Sequence, residues 1–139
     1  MIEVKFFDSI SDKDLKYAVI ASRYQGKWVF CKHKERDTYE IPGGHRENNE
    51  TILDAAKREL YEETGAVEFD ITPICVYKVD DYGMLYYADI RKFDKLPDFE
   101  MEQIYFMDTL PANLTYPLIQ PPLFEKAERF LGSKYRNQF

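Results

Sequence analysis

The chain has 139 residues, of which 45% are hydrophobic and 16% aromatic, and its formal net charge is −6. This size and composition predict one globular domain over residues 1–139 and argue against a disordered or fibrous protein. The acidic balance argues against binding of polymeric nucleic acid, which needs a basic face. Short apolar runs and an N-terminus unlike a signal peptide predict a cytoplasmic protein that does not enter a membrane.

The first predicted elements are two strands that form a hairpin. Residues 15–22 and 27–34 are rich in residues that favour β-structure. Gln25 and Gly26 stand between the two runs, and glycine there supplies a turn. We therefore expect the two strands to be antiparallel neighbours.

A helix is predicted after the segment Pro42-Gly43-Gly44. That segment is expected to be a loop, because proline lacks an amide hydrogen and glycine permits unusual dihedral angles. Thr51 is the predicted N-cap of the helix and Gly65 its predicted stop signal. The predicted core stripe of the helix has apolar residues at intervals of three and four positions: Leu53, Ala56 and Leu60.

Further strands and a second helix are predicted in the rest of the chain. Residues 67–93 return to a strand pattern, interrupted by a turn at 80–83, and another strand is predicted at 103–107. A proline-rich loop at 111–122 precedes an amphipathic helix that Gly132 is expected to close. Strands mixed with two helices predict a mixed α/β sandwich.

Three glutamates, Glu59, Glu62 and Glu63, occupy the last two turns of the first predicted helix. A helix C-terminus is itself partly negative, so each carboxylate there costs about 0.3 to 1 kcal/mol. Glu59 and Glu63 also repel each other at i,i+4 spacing by about 0.2 to 0.5 kcal/mol. A hard cation such as Mg²⁺ would make this arrangement favourable, since it binds carboxylate oxygens.

The same residues also fit a solvated helix face laced with ion pairs. Arg58 lies four residues after Asp54 and four before Glu62, so it can neutralise part of the cluster in either case. The segment before the helix favours the metal site.

From Gly44 the sequence reads Gly44, five residues, Glu50, seven residues, and then Arg58-Glu59-Leu60-Tyr61-Glu62-Glu63-Thr64-Gly65-Ala66. This resembles the Nudix box, the loop-helix-loop signature of hydrolases that cleave a nucleoside diphosphate linked to another group. Every charged and glycine position of the signature is filled. Only Ala66 departs, because the family prefers a larger aliphatic residue there. The resemblance implies the family's mixed-sheet α/β/α sandwich.

The resemblance also implies roles for the acidic residues. Glu59, Glu62 and Glu63 take the metal-facing positions, with Glu59 and Glu63 as the favoured direct ligands of Mg²⁺, for which Mn²⁺ can substitute. Glu59 is alternatively the general base. Glu100 and Glu102 are candidates for an additional carboxylate from a later loop, by position alone.

The remaining box residues support these glutamates. Arg58 resembles the arginine that orients them, and Glu50 resembles its acidic partner across the loop. Gly43 and Gly44 match the glycines whose backbone lets a metal or a phosphate approach closely. We therefore expect Glu50 and Arg58 in the catalytic site with the three glutamates, and the backbone of Gly44 beside the metal.

Candidates for substrate binding lie around the glycine segment. The basic residues that can reach an anionic tail are Lys32, Lys34, Arg36 and Arg46, and the amide of Asn113 can pair with the edge of a base. Aromatic residues offer faces on which a base can stack: Trp28, Tyr82, Tyr86, Phe99 and Tyr116. Each of these residues also has an ordinary surface, turn or core explanation.

The favoured function is that of a nucleoside triphosphate pyrophosphatase that clears oxidised nucleotides, of the 8-oxo-dGTP diphosphatase type. An ADP-ribose or dinucleotide pyrophosphatase is the nearest alternative. A non-catalytic nucleotide sensor is the alternative of another class, although such proteins commonly lose box glutamates that this chain retains. A homodimer is plausible, because Nudix domains often pair.

Overall fold

The structure, a computed structural model, describes residues 3–94 and 101–136, with side chains for 3–94 and 103–133. Its elements in chain order are β1 (Lys5–Phe7), a short 3-10 turn (Asp12–Asp14), β2 (Leu15–Tyr24), β3 (Lys27–His33), β4 (Tyr39–Glu40), β5 (Gly43–His45), α1 (Ile52–Thr64), β6 (Ala66–Lys78), β7 (Tyr82–Phe93), β8 (Met101–Met107) and α2 (Gln120–Arg136).

The strands of the described chain form one eight-stranded sheet in the order β1-β6-β7-β2-β3-β4, with β5 beside β2 and β8 beside β3. β2 and β7 run parallel, while the other pairs are antiparallel. The predicted mixed sheet is confirmed. The predicted hairpin is confirmed too, because β2 pairs antiparallel with β3 across a turn in which Gln25 and Gly26 have positive φ.

The sheet is covered on both faces. On one face Val29 of β3 belongs to a core cluster with Ala56 and Leu60 of α1. On the other face Trp28 belongs to a second cluster, and its ring lies 4.8 Å from that of Phe124 in α2. Successive β3 residues therefore pack against opposite helices, which gives the α/β/α layering implied by the resemblance.

Helix α1 begins and ends where the sequence predicted. The hydroxyl of Thr51 accepts a hydrogen bond from the amide of Asp54 at 3.1 Å, and Gly65 ends the helix with φ 80°. The prediction that Leu53 belongs to the core was wrong, since it is 38% exposed. Ile52, about 100° away around the helix, is buried instead with Ala55, Ala56 and Leu60.

The prediction of a loop at Pro42-Gly43-Gly44 was wrong for the glycines. Gly43–His45 forms β5, in which Gly43 pairs with Val19 and Gly44 with Ala18. A Cβ atom on Gly43 would lie 2.6 Å from the carbonyl oxygen of Ala18. The glycine is thus needed for the close approach of β5 to β2.

The predicted bounds of the second helix were also wrong. Helix α2 begins before Pro121 and continues through Gly132. Proline is tolerated in a first helical turn, because amides there have no intrahelical partner. Gly132 does not have the positive φ of a helix-ending glycine. No helix in the described ranges is long and apolar enough to cross a membrane.

Candidate active site

Arg58, in the middle of α1, uses all five N–H groups of its guanidinium. Its Nε and Nη2 donate to Oε2 and Oε1 of Glu50 at 2.7 and 3.0 Å. Nη2 also donates to the carbonyl of His45 at 3.0 Å. Nη1 donates to Glu59 at 2.8 Å and to Glu62 at 3.3 Å. One side chain thus joins the loop before α1, the strand β5 and two glutamates of the helix.

These contacts explain how α1 tolerates its acidic C-terminal half. The hydrogen bonds from Arg58 lower the pKa of Glu50, and the amide of Glu47 adds to this effect. In return, the hydrogen bonds to Glu50 raise the pKa of Arg58. Bidentate, charge-assisted pairs of this kind are among the stronger hydrogen bonds in proteins. Arg58 therefore stays charged and offsets the repulsion among its acidic neighbours.

Glu63 connects the C-terminal end of α1 to β5. Its side chain is 8% exposed, and its Oε1 accepts a hydrogen bond from the amide of Gly43 at 2.6 Å. A buried carboxylate needs such partners, since burial of an unpaired charge is costly. The contact fixes one metal-facing glutamate against the glycine strand.

Glu59 lies directly against Gly44. A Cβ atom on Gly44 would fall 2.5 Å from Cδ of Glu59 and 2.6 and 2.7 Å from its two oxygens. Any side chain at residue 44 would therefore displace this carboxylate. Glycine leaves room for Glu59 and keeps the backbone of residue 44 beside it.

The donor set fits a hard divalent cation, because carboxylate oxygens are the protein ligands that Mg²⁺ prefers. Among residues 3–94 and the described side chains after 102, no three acidic, histidine or cysteine side chains are already grouped at metal-binding distances. The reason is visible in the contacts: Glu59 and Glu62 turn towards Arg58, and Glu63 turns towards Gly43.

A cavity of about 320 Å³ begins at the glycine strand, where Gly43, Gly44 and His45 line it. Its walls are mostly aromatic and aliphatic and include Tyr17 and Tyr77. Binding sites for small molecules commonly have this size and character. The cavity can hold an organic group while an attached phosphate lies beside the glutamates.

Two buried polar residues in the cavity wall escaped the sequence analysis. Glu40 is 8% exposed and Gln120 is 5% exposed, and both line the cavity. The only sequence signal for Glu40 was its place beside the Pro42-Gly43-Gly44 segment. Gln120 had none, since a polar residue before two prolines looks like part of a loop.

Four residues that the sequence predicted to bind substrate are not among the described residues that line this cavity: Lys32, Lys34, Arg46 and Asn113. Lys32 pairs with Asp37 at 3.0 Å, and Lys34 is exposed in the turn after β3.

Arg46 and Asn113 instead stabilise nearby turns and loops. The guanidinium of Arg46 binds Asp12 at 2.8 Å and the carbonyl of Lys13 at 2.8 Å, and so holds the 3-10 turn. The amide of Asn113 donates to the carbonyl of Asp37 at 2.6 Å.

The predicted aromatic residues divide between the cavity and the rest of the protein. Tyr116 lines the cavity. Trp28 and Tyr86 are buried in the core, and Tyr82 packs edge-on against Phe7. The remaining sequence-predicted candidates lie outside the described part: Phe99, Glu100 and the side chain of Glu102.

Comparison with known proteins agrees with this geometry. The model of the NUDIX domain matches residues 12–128. The Bacillus subtilis (strain 168) protein named "Putative 8-oxo-dGTP diphosphatase YtkD" is 34% identical over 120 residues, which are 82% of this chain and 75% of that protein.

Solved structures agree as well. The Bacillus subtilis pyrophosphohydrolase BsRppH matches with a TM-score of 0.77 and 29% identity, covering 92% of this chain and 90% of that one. A MutT NUDIX hydrolase from Burkholderia pseudomallei shares the fold, with a TM-score of 0.59 and 22% identity over 79% of this chain and 95% of that one. The chain belongs to the NUDIX domain family and is a Nudix hydrolase.

Proposed function

We propose that this Nudix hydrolase converts nucleoside triphosphates to nucleoside monophosphates and pyrophosphate, with Mg²⁺ as its cofactor and Mn²⁺ able to substitute. Oxidised nucleotides of the 8-oxo-dGTP type are the proposed physiological substrates. The observation that carries the proposal is the contact of Arg58 with Glu50, Glu59 and Glu62 beside the glycine strand. The name of the Bacillus subtilis relative with 34% identity supports the substrate class.

The proposed roles follow from the chemistry of an anhydride bond. Bound Mg²⁺ supplies positive charge to the phosphate oxygens and lowers the pKa of the attacking water. Glu59 and Glu63 are the proposed ligands, with Glu62 completing the acidic cluster. Alternatively, Glu59 takes the proton from the attacking water. Arg58 holds Glu59 and Glu62 in defined orientations, and Glu50 holds Arg58.

The cavity accounts for the other half of the substrate. Gly43 and Gly44 belong both to the cavity wall and to the contacts of the metal-facing glutamates. The phosphates therefore lie at the glycine strand, and the nucleoside extends between the tyrosine side chains. Aromatic faces suit a planar base, which can stack on them.

A product assay tests this proposal. Purified protein is incubated with ordinary and oxidised nucleoside triphosphates, ADP-ribose and dinucleotides, in Mg²⁺, Mn²⁺ or a chelator. We expect metal-dependent release of nucleoside monophosphate and pyrophosphate, fastest with an oxidised nucleotide. Release of orthophosphate alone would show a different reaction.

The alternatives give different results in the same assay. An ADP-ribose or dinucleotide pyrophosphatase would cleave those substrates and leave the triphosphates intact. A nucleotide sensor would bind nucleotide with Mg²⁺ and turn over nothing in the panel. The complete set of box glutamates favours turnover over sensing. The expected homodimer stays a prediction, which sedimentation of the purified protein tests.

A further inference from the structure

Arg36 connects two segments of the cavity wall. Glu40 at the end of β4 and Tyr116 in the loop before α2 both line the cavity, whereas Arg36 is not among the described residues that line it. Nη1 of Arg36 donates to Oε2 of Glu40 at 3.1 Å and to the hydroxyl of Tyr116 at 3.2 Å. One nitrogen atom thus joins two wall residues that lie far apart in the sequence.

Arg36 is itself held in place by its neighbours. Its amide donates to the carbonyl of His33 at 3.0 Å, in the turn after β3. Its partner Glu40 is 8% exposed, and Oε2 of that carboxylate also accepts a hydrogen bond from the hydroxyl of Thr115 at 3.1 Å. A hydrogen bond to a buried carboxylate is stronger than one to an exposed carboxylate, because water competes less for it. The guanidinium therefore has a defined position beside Tyr116.

The side chain of Tyr116 depends on Arg36 more than the loop backbone does. The amide of Thr115 donates to the carbonyl of Tyr39 at 3.0 Å, so β4 holds the backbone as far as residue 115. Tyr116 is 43% exposed, and within the described ranges its hydroxyl is hydrogen-bonded to Arg36. The guanidinium carbon also lies 5.8 Å from the centroid of the tyrosine ring, within the range of cation–π attraction. Without these contacts the exposed ring would be free to change rotamer.

We propose that Arg36 is a positioning residue, which holds Tyr116 and Glu40 in the cavity wall and so raises the affinity for substrate without taking part in the chemical step. The sequence made Arg36 a candidate for binding the anionic tail, but both hydrogens of its Nη1 are already donated to wall residues. This inference rests on the proposed function, because the cavity is the proposed site of the nucleoside.

The expected effect on affinity follows from the population of ring orientations. A ring that is fixed in the wall presents its face to a ligand in one orientation, whereas a mobile ring does so only part of the time. The apparent dissociation constant rises by the inverse of the fraction of molecules that are competent to bind. Loss of Arg36 should therefore weaken binding and leave the chemistry at the glutamates intact.

Steady-state kinetics test the proposal, with the nucleotide that the unmodified protein hydrolyses fastest. Arg36→Met removes both hydrogen bonds and should raise KM at least about fivefold with kcat within about twofold, because only binding of the ground state is lost. Arg36→Lys should restore most of the affinity, since one ammonium nitrogen carries three donors and can meet both acceptors. An unchanged KM in Arg36→Met would overturn the proposal, as would a lower kcat with the same KM.

A double-mutant cycle tests whether Arg36 acts through Tyr116. Tyr116→Phe keeps the ring and removes the hydroxyl, and it should raise KM by about threefold, the scale of one lost hydrogen bond. When one contact underlies both effects, the double variant should have a KM no higher than that of Arg36→Met alone. Effects of the two substitutions that simply multiply would overturn the proposal.

Direct contact of Arg36 with the phosphate tail is the competing explanation, and the charge of the ligand separates the two. The nucleoside monophosphate is used as a competitive inhibitor at low and high salt. A positioning role predicts that Arg36→Met raises the KM of the triphosphate and the inhibition constant of the monophosphate by the same factor. A larger effect on the triphosphate that shrinks at high salt would show an ion pair with the tail and overturn the proposal.

Two controls make the same chemical changes at exposed positions outside the cavity lining. Arg129→Met changes an exposed arginine of α2, and Tyr61→Phe changes a tyrosine that is 42% exposed on α1. Both should keep KM and kcat unchanged. Thermal unfolding of every variant shows whether a higher KM comes from loss of fold.

Hydrogen exchange separates this inference from the proposed function, because it needs no ligand. The amides of Ile119 and Gln120 donate to the carbonyl of Tyr116 at 3.2 and 3.0 Å. In Arg36→Met these amides should exchange at least about fivefold faster than in Arg36→Lys, since the loop is less firmly held. Equal exchange in both variants and the unmodified protein would overturn the inference, whatever the protein hydrolyses. Absence of pyrophosphate release with faster exchange in Arg36→Met would contradict the pyrophosphatase and support the positioning role.

Discussion

Arg58 and Glu50 face each other in a two-pronged contact, in which Nε and Nη2 of the arginine meet Oε2 and Oε1 of the carboxylate at 2.7 and 3.0 Å. This contact leaves Nη1 directed at Glu59 and Glu62. The planar fork of a guanidinium allows the arrangement, whereas an ammonium group has three donors around one nitrogen. The identity of residue 58 thus matters beyond its charge.

Arg58→Lys is expected to lower turnover by about a hundredfold, the scale associated with small misplacements of reacting groups. It should also destabilise the fold by about 0.5 to 1.5 kcal/mol, because partly buried carboxylates lose hydrogen bonds from the guanidinium. Turnover and thermal unfolding are measured together. Arg129→Lys is the control, since this arginine is exposed on α2 and its ion pair with Glu125 lies on the protein surface. Full activity of Arg58→Lys would contradict the orienting role.

Gly44→Ala is expected to lower turnover by about a hundredfold, because the added methyl group overlaps the carboxylate of Glu59. Kinetics with Mg²⁺ and a far-UV spectrum separate the loss of activity from loss of fold. Gly132→Ala is the matched control. Apart from its own helical backbone, no described atom lies within 4 Å of a Cβ at that position, so alanine there should stabilise the protein by about 0.5 to 1 kcal/mol with activity unchanged.

Glu63→Gln is expected to lower metal-dependent turnover by at least about a hundredfold, since an essential charge is removed. Its thermal stability should hold or rise. The amide oxygen can still accept from Gly43, and one negative charge leaves the helix C-terminus, where it costs about 0.3 to 1 kcal/mol. Turnover equal to that of the unmodified protein would remove Glu63 from the proposed site.

The contact between Glu50 and Arg58 should also make the free energy of unfolding depend on pH. Its pKa is lowered in the folded protein by the hydrogen bonds from Arg58. A lowered carboxylate pKa adds stability above the unfolded value of about 4.3, and this contribution is lost as the pH falls through the folded pKa.

Unfolding temperatures of the unmodified protein and of Glu50→Gln are therefore compared from pH 7 to pH 3 in a chelator. At neutral pH we expect the unmodified protein to unfold at a higher temperature than Glu50→Gln, and we expect this difference in unfolding temperature to decrease as the pH falls towards 3. A difference that stays constant over this range would contradict the assigned cause, whereas Glu128→Gln should show little difference at any pH, because that glutamate is exposed.

Local signals explain which elements the sequence predicted correctly. Thr51 and Gly65 mark the ends of α1 through contacts within four residues, and the turn at Gln25 and Gly26 is equally local. The box glutamates were found in the same way, because their spacing within one helix is written in the sequence. The roles assigned to them remain predictions.

Features that depend on distant partners were missed. The strand at Gly43–His45 forms because β2 lies beside it, and the two glycines alone do not predict that pairing. Glu40 and Gln120 line the same cavity because the loop before α2 is joined to β4, where Tyr39 forms a bridge with Leu114. Periodicity does not report such contacts between segments more than seventy residues apart.

The hydrogen bonding of Gly43–His45 into the sheet bears on how ligands bind. A free glycine-rich loop loses conformational entropy when it closes around a phosphate, and this loss weakens binding. Here the sheet has already ordered the backbone next to Glu63, so folding bears that entropic cost. The affinity for the charged end of a ligand should therefore depend on electrostatics and metal occupancy, with little contribution from loop closure.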